Sequence, residues 1–325
     1  MTPRPDPVID PKELLALRAA QLYYMQDQTM EVIAAELGTS RSSVSRLLSL
    51  ARELGIVDIQ VRSPLESGAR LEMELRTRHR VNAHVVPAPD RLSDVERLER
   101  VALTAARLLP RYIDANLVVG IAWGSTVSAI SRHLPQKETH NTVIVQLNGA
   151  GNTETTGIEY ASDILGRFGT AFHARTQQFP VPALFDDPST REALWRERSM
   201  RRVLDLQDRL DVAIFGLGSS LAAVPSRVHI GGYLERSDYA SLAGDEVVGD
   251  VATVFYRADG SWADVALNAR SSGPGLDRIR RAARRICIVS GAQKLETLRG
   301  ALAAGIVTDL VIDEGLARRL VHGTA

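Results

Sequence analysis

From about residue 82 to the end of the chain, short apolar runs alternate with stretches of helical periodicity. Apolar strands that alternate with helices favour a mostly parallel sheet covered on both faces, because each crossover helix brings the chain back to the same end of the sheet. The pattern therefore predicts a doubly wound, mostly parallel, Rossmann-like α/β domain. Its less regular segments are interpreted as a strand in 171–179, a helix over 189–206 and a hairpin over 251–262.

A different pattern precedes this domain, in residues 29–61. A short helix, a tight turn and a longer helix with a polar start are followed by the apolar run 56–61, which predicts a small wing. Gly38 permits the left-handed backbone that ends the first of these helices, and the small Ala34 lets the second helix cross close to it. This layout is typical of a helix-turn-helix, whose second helix enters the major groove of DNA.

The segment RSPLESG separates the two patterns and is rich in residues that break regular structure. We therefore expect a helix-turn-helix DNA-binding domain over 12–61, with its first helix over 14–26. A linker and a charged helix should follow over 62–80. An effector and oligomerisation domain should occupy 81–325.

Short hydroxyl and guanidinium side chains crowd the start of the predicted recognition helix, which should run from about Ser40 to Leu54. Arginine can bridge O6 and N7 of guanine, and serine can bond phosphate or a base edge. A serine here can equally be the N-cap of a solvated helix. The candidate DNA-binding residues are Ser40, Arg41, Ser42, Ser43, Ser45 and Arg46.

The formal net charge of the chain is zero, so binding to DNA by bulk charge is excluded and any contact must be local. Residues 40–54 carry three arginines against one glutamate, a modest positive excess. Such an excess predicts that operator DNA is bound through paired half-sites by a homo-oligomer, a dimer or a tetramer.

Four apolar runs of the second domain end in turns built of small residues: WGST (123–126), NGAG (148–151), GLGSS (216–220) and SGAQK (290–294). In an open parallel sheet, ligands bind at the carboxyl ends of the strands, where these turns lie. Gly124 lets backbone N–H groups approach an anion, and Thr126 adds a hydroxyl. The turns predict a small phosphorylated or polyhydroxy ligand. No Walker A or complete GxGxxG pattern is present, so a nucleotide is not expected.

Three polar residues near these turns could contact such a ligand. Lys294 could pair with a phosphate or a hydroxyl, and Asp250 could accept hydrogen bonds from sugar hydroxyls. Asn148 can both donate and accept at a strand end. Each has a structural alternative: a lysine on a helix surface, an aspartate in a turn or cap, and an asparagine that forms a turn.

The search for catalytic and metal-binding patterns is negative. The seven histidines are scattered without an HxH or HxxxH pair, and no GxSxG elbow occurs. No histidine is expected beside Asp250. We predict no catalytic residue, no metal and no cofactor. The single cysteine, Cys287, lies in an apolar run and is predicted to be buried in a strand.

No apolar run reaches 18 residues and no signal-peptide pattern is found. The sequence therefore predicts a soluble, cytoplasmic protein with no membrane partner.

Five segments, taken in order, resemble one bacterial family, the SorC-type sugar-binding transcriptional regulators. These segments begin LYYMQDQTMEVIAAELGTS, VVGIAWGSTV, PVPALFDDPSTREAL, VVGDVATVFYRADG and IVSGAQKLETLRG. The resemblance covers about residues 12–322. It implies an effector domain similar in fold to sugar-phosphate isomerases and deaminases.

The resemblance also implies that the effector is bound by Gly124, Ser125, Thr126, Asn148, Asp250 and Lys294. The first three match the loop that binds phosphate in the family. Gly149, in the NGAG turn beside Asn148, is a further candidate. Some relatives carry arginine or lysine at the position of Asn148, which pairs with phosphate or forms a Schiff base. Asparagine can do neither, so an unphosphorylated sugar or polyol stays open beside a phosphorylated one.

The predicted function is that of a DNA-binding regulator of carbohydrate metabolism whose operator binding responds to a sugar, polyol or sugar phosphate. One alternative is a sugar-phosphate isomerase or deaminase with a fused DNA-binding head, for which Asp250 is the candidate carboxylate. Another is an architectural DNA binder whose second domain has lost its ligand.

Overall fold

The structure, a computed structural model, describes residues 10–57, 68–89, 91–219 and 227–323. The chain divides into two compact units, Met1–Pro64 and Leu65–Ala325.

Residues 10–57 of the first unit contain three α-helices: α1 (Pro11–Ala20), α2 (Met30–Glu36) and α3 (Arg41–Glu53). A π-helical turn, Gln21–Met25, continues α1, so the predicted first helix has two parts. Ile56 and Val57 do not belong to a strand, and the rest of the predicted wing lies outside the described residues.

The packing of α2 against α3 depends on small and apolar positions, among them Ala34 named above. Ile33 and Ala34 of α2 and Val44 and Leu48 of α3 are buried together in the core of the first unit. Gly38 adopts φ = 62°, the left-handed conformation that ends α2. The two helices are thus joined by a tight turn, as the sequence predicts.

The second unit alternates strands and helices along the chain. Its strands are β1 (Asn82–Val86), β2 (Val118–Ile121), β3 (Val143–Gln146), β4 (Arg175–Gln177), β5 (Val212–Gly216), β6 (Val247–Val251), β7 (Val254–Arg257), β8 (Arg284–Val289) and β9 (Asp309–Asp313). Its α-helices are α4 (Gly68–His79), α5 (Asp94–Leu108), α6 (Ser125–Ser131), α7 (Ile158–Phe172), α8 (Pro188–Trp195), α9 (Arg198–Gln207), α10 (Arg227–Ile230), α11 (Arg236–Gly244), α12 (Leu276–Arg281), α13 (Leu295–Ala303) and α14 (Glu314–His322).

Seven of the strands form one parallel sheet in the order β1-β9-β8-β5-β2-β3-β4. The prediction of a mostly parallel α/β sheet is confirmed. From β2 the chain continues to β3 on one side, whereas from β5 it continues to β8 on the other. The carboxyl ends of β2 and β5 therefore flank the point where the strand order reverses, which is the usual ligand position in such sheets.

Two apolar clusters cover the faces of this sheet, and successive strand residues alternate between them. In β8, Cys287 and Val289 join one cluster, whereas Ile286 and Ile288 join the other. Because side chains alternate across a strand, a run that is apolar throughout must be covered on both sides. The burial of Cys287 in a strand is as predicted.

The irregular segments differ from the sequence-based expectations. The predicted helix over 189–206 is split into α8 and α9. Because α7 extends through Phe172, only Arg175–Gln177 of the 171–179 run forms a strand. The hairpin pairs β6 with β7 in antiparallel fashion and turns at Ala252 and Thr253. The hairpin therefore begins at Val247, earlier than the predicted residue 251. The prediction missed this turn because it lacks the glycine or asparagine that usually marks one.

Candidate functional site

The turns after β2, β3 and β5 converge on a cavity of about 40 Å³, which is completed by β6 and by the 3₁₀ turn before α13. Six of the seven predicted effector residues line it: Gly124, Ser125, Thr126, Asn148, Asp250 and Lys294. The remaining lining residues come mainly from the β5 turn and the β6–β7 hairpin.

The loop after β2 brings the start of α6 to the cavity. Gly124 is the N-cap of α6 and adopts φ = 151°, a conformation rare for other residues. Thr126 is buried and packs closely against Gly216, where an added Cβ would meet the Thr126 side chain at 3.0 Å. The β2 and β5 turns are therefore held tightly together at this edge of the sheet.

Asn148 follows β3 and is only 1% exposed. Its backbone carbonyl accepts hydrogen bonds from Trp123 Nε1 at 3.1 Å and from Gln146 Nε2 at 2.7 Å, which fix the turn. Its side-chain Oδ1 is buried and has no hydrogen-bond partner among the residues that the structure describes. Buried polar atoms are rarely left unpaired, so this oxygen is free to accept a bond from a ligand.

Gly149 is not among the residues that line the cavity. Its N–H donates to Ser272 Oγ at 2.9 Å, and a Cβ here would lie 2.2 Å from the carbonyl oxygen of Val181. The structure thus gives Gly149 a packing reason to be glycine and does not bring it to the cavity with the other six.

Trp123 lines the cavity, but its indole N–H and one face of its ring already contact other residues of the protein. Besides its bond to Asn148, its Nε1 donates to the carbonyl oxygen of Gly149 at 2.7 Å. Its ring stacks on Tyr233, with centroids 5.2 Å apart. One face of the indole is therefore already occupied by an aromatic neighbour.

Lys294 is buried rather than placed on a helix surface. Its Nζ donates to the carbonyl oxygen of Leu217, the residue directly after β5, at 2.9 Å. Burial lowers its pKa, because the protein interior solvates an ammonium poorly, while Cys287 and Asp250 act in the opposite direction. The structural alternative for Lys294 is thus wrong.

Asp250 lies in β6 and is likewise buried. Its backbone forms two hydrogen bonds with Gly218, and an added Cβ on Gly218 would come within 1.8 Å of Asp250 Oδ1. That oxygen has no hydrogen-bond partner in the described part of the chain. Burial raises the pKa of Asp250, whereas the nearby His229 and Lys294 lower it.

His229 corrects the expectation that no histidine stands beside Asp250. Its Nε2 lies 3.8 Å from Asp250 Oδ1, and its Nδ1 is buried without a described partner. The residue comes from α10, which is short and distant in sequence from β6. Neither a motif nor a spacing in the sequence indicates this pairing.

The turn beside Asp250 is strained. Ala252 and Thr253 both adopt left-handed conformations, with φ of 48° and 62°, and both line the cavity. A left-handed β-branched residue is an outlier that costs about 1–3 kcal/mol, and such strain clusters at functional sites.

In the first unit, the six predicted DNA-binding residues divide into two groups. Ser40 Oγ accepts the N–H of Ser43 at 3.2 Å, so Ser40 is the N-cap of α3. Arg41, Ser42, Ser45 and Arg46 are exposed at the start of α3, and Ser43 is partly buried. Arg41 also forms an exposed ion pair with Glu31 at 3.0 Å.

Across the described ranges, no group of three or more histidine, cysteine, aspartate or glutamate side chains is arranged to hold a metal ion. No helix within those ranges is both long and apolar enough to cross a membrane.

Comparison with known proteins identifies the family. The domain family described as "Putative sugar-binding domain" matches residues 63–322, most of the chain. The deoxyribonucleoside regulator of Bacillus subtilis (strain 168) is 30% identical over 315 residues, which are 96% of this chain and 98% of that protein. The chain belongs to the SorC-type sugar-binding transcriptional regulators.

Two crystal structures extend the comparison. A domain of "a possible sugar-binding transcriptional regulator" from Arthrobacter aurescens TC1 is 54% identical, covers 80% of this chain and all of its own, and has a TM-score of 0.75. The full-length sorbitol operon regulator SorC of Klebsiella pneumoniae is 26% identical, with a TM-score of 0.71, over 96% of this chain and all of its own. The predicted role as a transcriptional regulator of sugar metabolism is confirmed at the level of the family.

Proposed function

We propose that this regulator binds a sugar or polyol, free or phosphorylated, in the cavity at the carboxyl ends of β2, β3 and β5. The observation that carries the proposal is the pair of unpartnered acceptors, Asn148 Oδ1 and Asp250 Oδ1, at one cavity. A buried acceptor without a donor costs about 1–3 kcal/mol. Ligand hydroxyls are donors that would satisfy both oxygens, which supports a polyhydroxy ligand.

Lys294 supplies the complementary chemistry. Its ammonium can donate to a ligand oxygen, and a phosphate would offset the cost of burying its charge. Asn148 carries no charge that could hold a second phosphate. The proposed effector is therefore a polyol or sugar with at most one phosphate, lying between Lys294 and the two acceptor oxygens.

We further propose that the first unit is a helix-turn-helix head and that α3 is its recognition helix. Arg41, Ser42, Ser45 and Arg46 are its exposed polar side chains at the helix start, and they suit base and phosphate contacts. Ser40 and Ser43 would act mainly by fixing that start. The operator would be read by a homo-oligomer, since one short helix start covers only one half-site.

The effector proposal is tested by a thermal-shift panel on the full chain with matched free and phosphorylated sugars and polyols, including sorbitol, erythritol and deoxyribose 5-phosphate. A ligand at a hundred times its Kd should stabilise the protein by about 2.7 kcal/mol. Asn148→Ala and Asp250→Asn should abolish the shift while leaving the protein folded. A panel without any shift would favour the architectural alternative.

The enzyme alternative has one observation in its favour, the proximity of His229 to Asp250. A histidine next to a carboxylate is an arrangement that acid–base catalysis uses. It is tested by incubating the same protein with ketose and aldose phosphates. Turnover that is lost in Asp250→Asn would replace the sensor by an enzyme, whereas binding without turnover supports the sensor.

A further inference from the structure

A second concave surface lies away from the effector cavity, along α9 and the edge strand β4. It encloses about 440 Å³, within the usual size range of small-molecule sites. Because its floor includes the first residues of β3 and β4, it opens toward the amino ends of the strands, whereas the effector cavity lies at their carboxyl ends. We call it the arginine groove, and its charged lining residues are Arg175, Arg198, Arg201, Arg202, Asp205 and Arg209.

The charge of the groove is strongly one-sided. Five arginines face one aspartate, which leaves an excess of four positive charges in a chain whose formal net charge is zero. Charged residues follow Arg198 at three, four, seven and eleven positions, a helical spacing that places them in one stripe. These residues are Arg201, Arg202, Asp205 and Arg209. Like charges three and four residues apart destabilise a helix.

Within the groove, Asp205 is the one described acidic residue that offsets this repulsion, against five arginines. Arg175, Arg198, Arg201 and Arg202 form neither an ion pair nor a side-chain hydrogen bond with any described residue. Elsewhere arginines are commonly paired, as Arg278 is with Asp208 at 3.0 Å. The guanidinium groups of the groove are thus available to an external anion.

The shape and lining of the groove limit what that anion can be. Only Val143 and Leu206 contribute apolar side chains, and no aromatic ring is present to stack on a base or a sugar. A groove of about 440 Å³ is also far too small to hold a DNA duplex. Guanidinium forks match phosphate oxygens in pairs.

We propose that the arginine groove is a second ligand site, which binds a small molecule that carries two or more phosphate groups and is recognised through those phosphates. This site is independent of the proposed effector cavity, so either assignment can fail without the other.

The test is calorimetric titration of the full chain with tripolyphosphate as the probe, against orthophosphate. The wild type should bind tripolyphosphate at least tenfold more tightly than orthophosphate. Arg201→Gln/Arg202→Gln should weaken this binding at least tenfold, and Arg201→Lys/Arg202→Lys should weaken it less, because the charge stays and the fork is lost. Arg100→Gln/Arg107→Gln, which removes two exposed charges from α5, is the matched control and should bind as the wild type does.

Thermal unfolding tests whether Arg201 and Arg202 have a structural role instead. Without polyanion, the glutamine variant should unfold at the same or a higher temperature than the wild type, because like-charge repulsion is relieved. Lys294→Met should still bind the probe, whereas loss of binding there and not in the groove variant would place the probe in the effector cavity and overturn the proposal.

Other outcomes would also overturn it. These are no binding of tripolyphosphate, an equal loss in the α5 control, or tighter and equally groove-dependent binding of hexaglutamate, which would assign the groove to an acidic peptide. A glutamine variant that changes oligomeric state while the wild type ignores tripolyphosphate would assign the groove to a contact between copies of the chain.

Discussion

Asp250 can occupy the cavity because Gly218 has no Cβ atom. An alanine Cβ at this position would lie 1.8 Å from Asp250 Oδ1, far inside van der Waals contact. The carboxylate is held between this backbone and His229, so it has little room to retreat. The geometry of the acceptor oxygen therefore depends on the missing side chain of Gly218, which lines the same cavity.

Gly218→Ala should displace Asp250, destabilise the protein by about 1–3 kcal/mol and weaken binding of the effector found in the panel. Gly166→Ala is the matched control, because Gly166 lies in α7 with open space around it. That change should stabilise the protein by about 0.5–1 kcal/mol. Urea unfolding measures both, and equal behaviour of the two variants would contradict the argument.

Lys294 should give stability a pH dependence. Its pKa is lowered in the folded state from 10.5, so below pH 10.5 the unfolded chain binds a proton that the folded chain resists. Stability therefore rises with pH toward 10.5 and falls as the pH is lowered. As the pH rises toward 10.5, the unfolding free energy of the wild type should increase relative to that of Lys294→Met. Urea unfolding at several pH values measures this difference. A constant difference would show that the ammonium is solvated in the folded protein.

Cys287 should be inert in the native protein. Burial raises the pKa of its thiol to about 12, so almost no thiolate exists near neutral pH. A thiol reagent at about pH 8 should detect no reactive cysteine in the native chain and one per chain in denaturant, since the sequence contains a single cysteine. Rapid reaction of the native protein would contradict its burial in β8.

At the scale of elements, α3 depends on the cap at its start. Ser40→Ala removes the acceptor for the N–H of Ser43 and should cost the first unit about 1 kcal/mol. Ser40→Asp keeps an acceptor of equal capping quality but adds a negative charge.

The two variants separate capping from DNA contact. If the first unit binds DNA as proposed, Ser40→Asp should retain the thermal stability of that unit yet weaken binding to a duplex selected with the full chain, because its charge would repel phosphate. Circular dichroism and fluorescence anisotropy measure the two effects. Unchanged affinity in Ser40→Asp would place this residue away from the DNA backbone.

The β6–β7 hairpin contributes residues to the cavity through a turn whose backbone is strained. Its turn residues, Ala252 and Thr253, adopt conformations that glycine or asparagine would adopt more easily. Both are buried beside Asp250, and Thr253 Oγ1 lies 3.2 Å from Ser271 Oγ. Packing around the cavity outweighs the local backbone preference here.

At the scale of the whole molecule, the proposed effector must change the cavity that it enters. A volume of about 40 Å³ holds roughly three waters and is too small for a sugar. Binding should therefore widen the site, and a difference in affinity between two states is what a regulator needs to shift its population.

Saturating effector should change the affinity of the full chain for its operator by about 5–150-fold, the usual range of allosteric coupling. Because coupling is reciprocal, operator DNA should change the affinity for the effector by the same factor. Anisotropy titrations with and without each ligand measure both. Tight effector binding with unchanged operator affinity would contradict the coupling.

The sequence by itself determined the periodic features of this protein. The alternation of apolar strands and helices specified a parallel sheet, and the turns after β2, β3 and β5 indicated the edge of the sheet at which the cavity lies. Cys287 was predictable because an apolar run in a parallel sheet is buried on both faces. Gly38 was predictable because only local backbone geometry is involved.

Only the tertiary structure decided which distant residues meet. His229 reaches Asp250, Lys294 is buried against the carbonyl of Leu217, and the arginines of α9 join Arg175 on the edge strand. These pairings depend on crossover connections and strand order, which place residues far apart in sequence side by side. Local spacing in the sequence does not indicate such contacts. For the same reason, the short helix α10 and a hairpin turn without glycine could not be predicted.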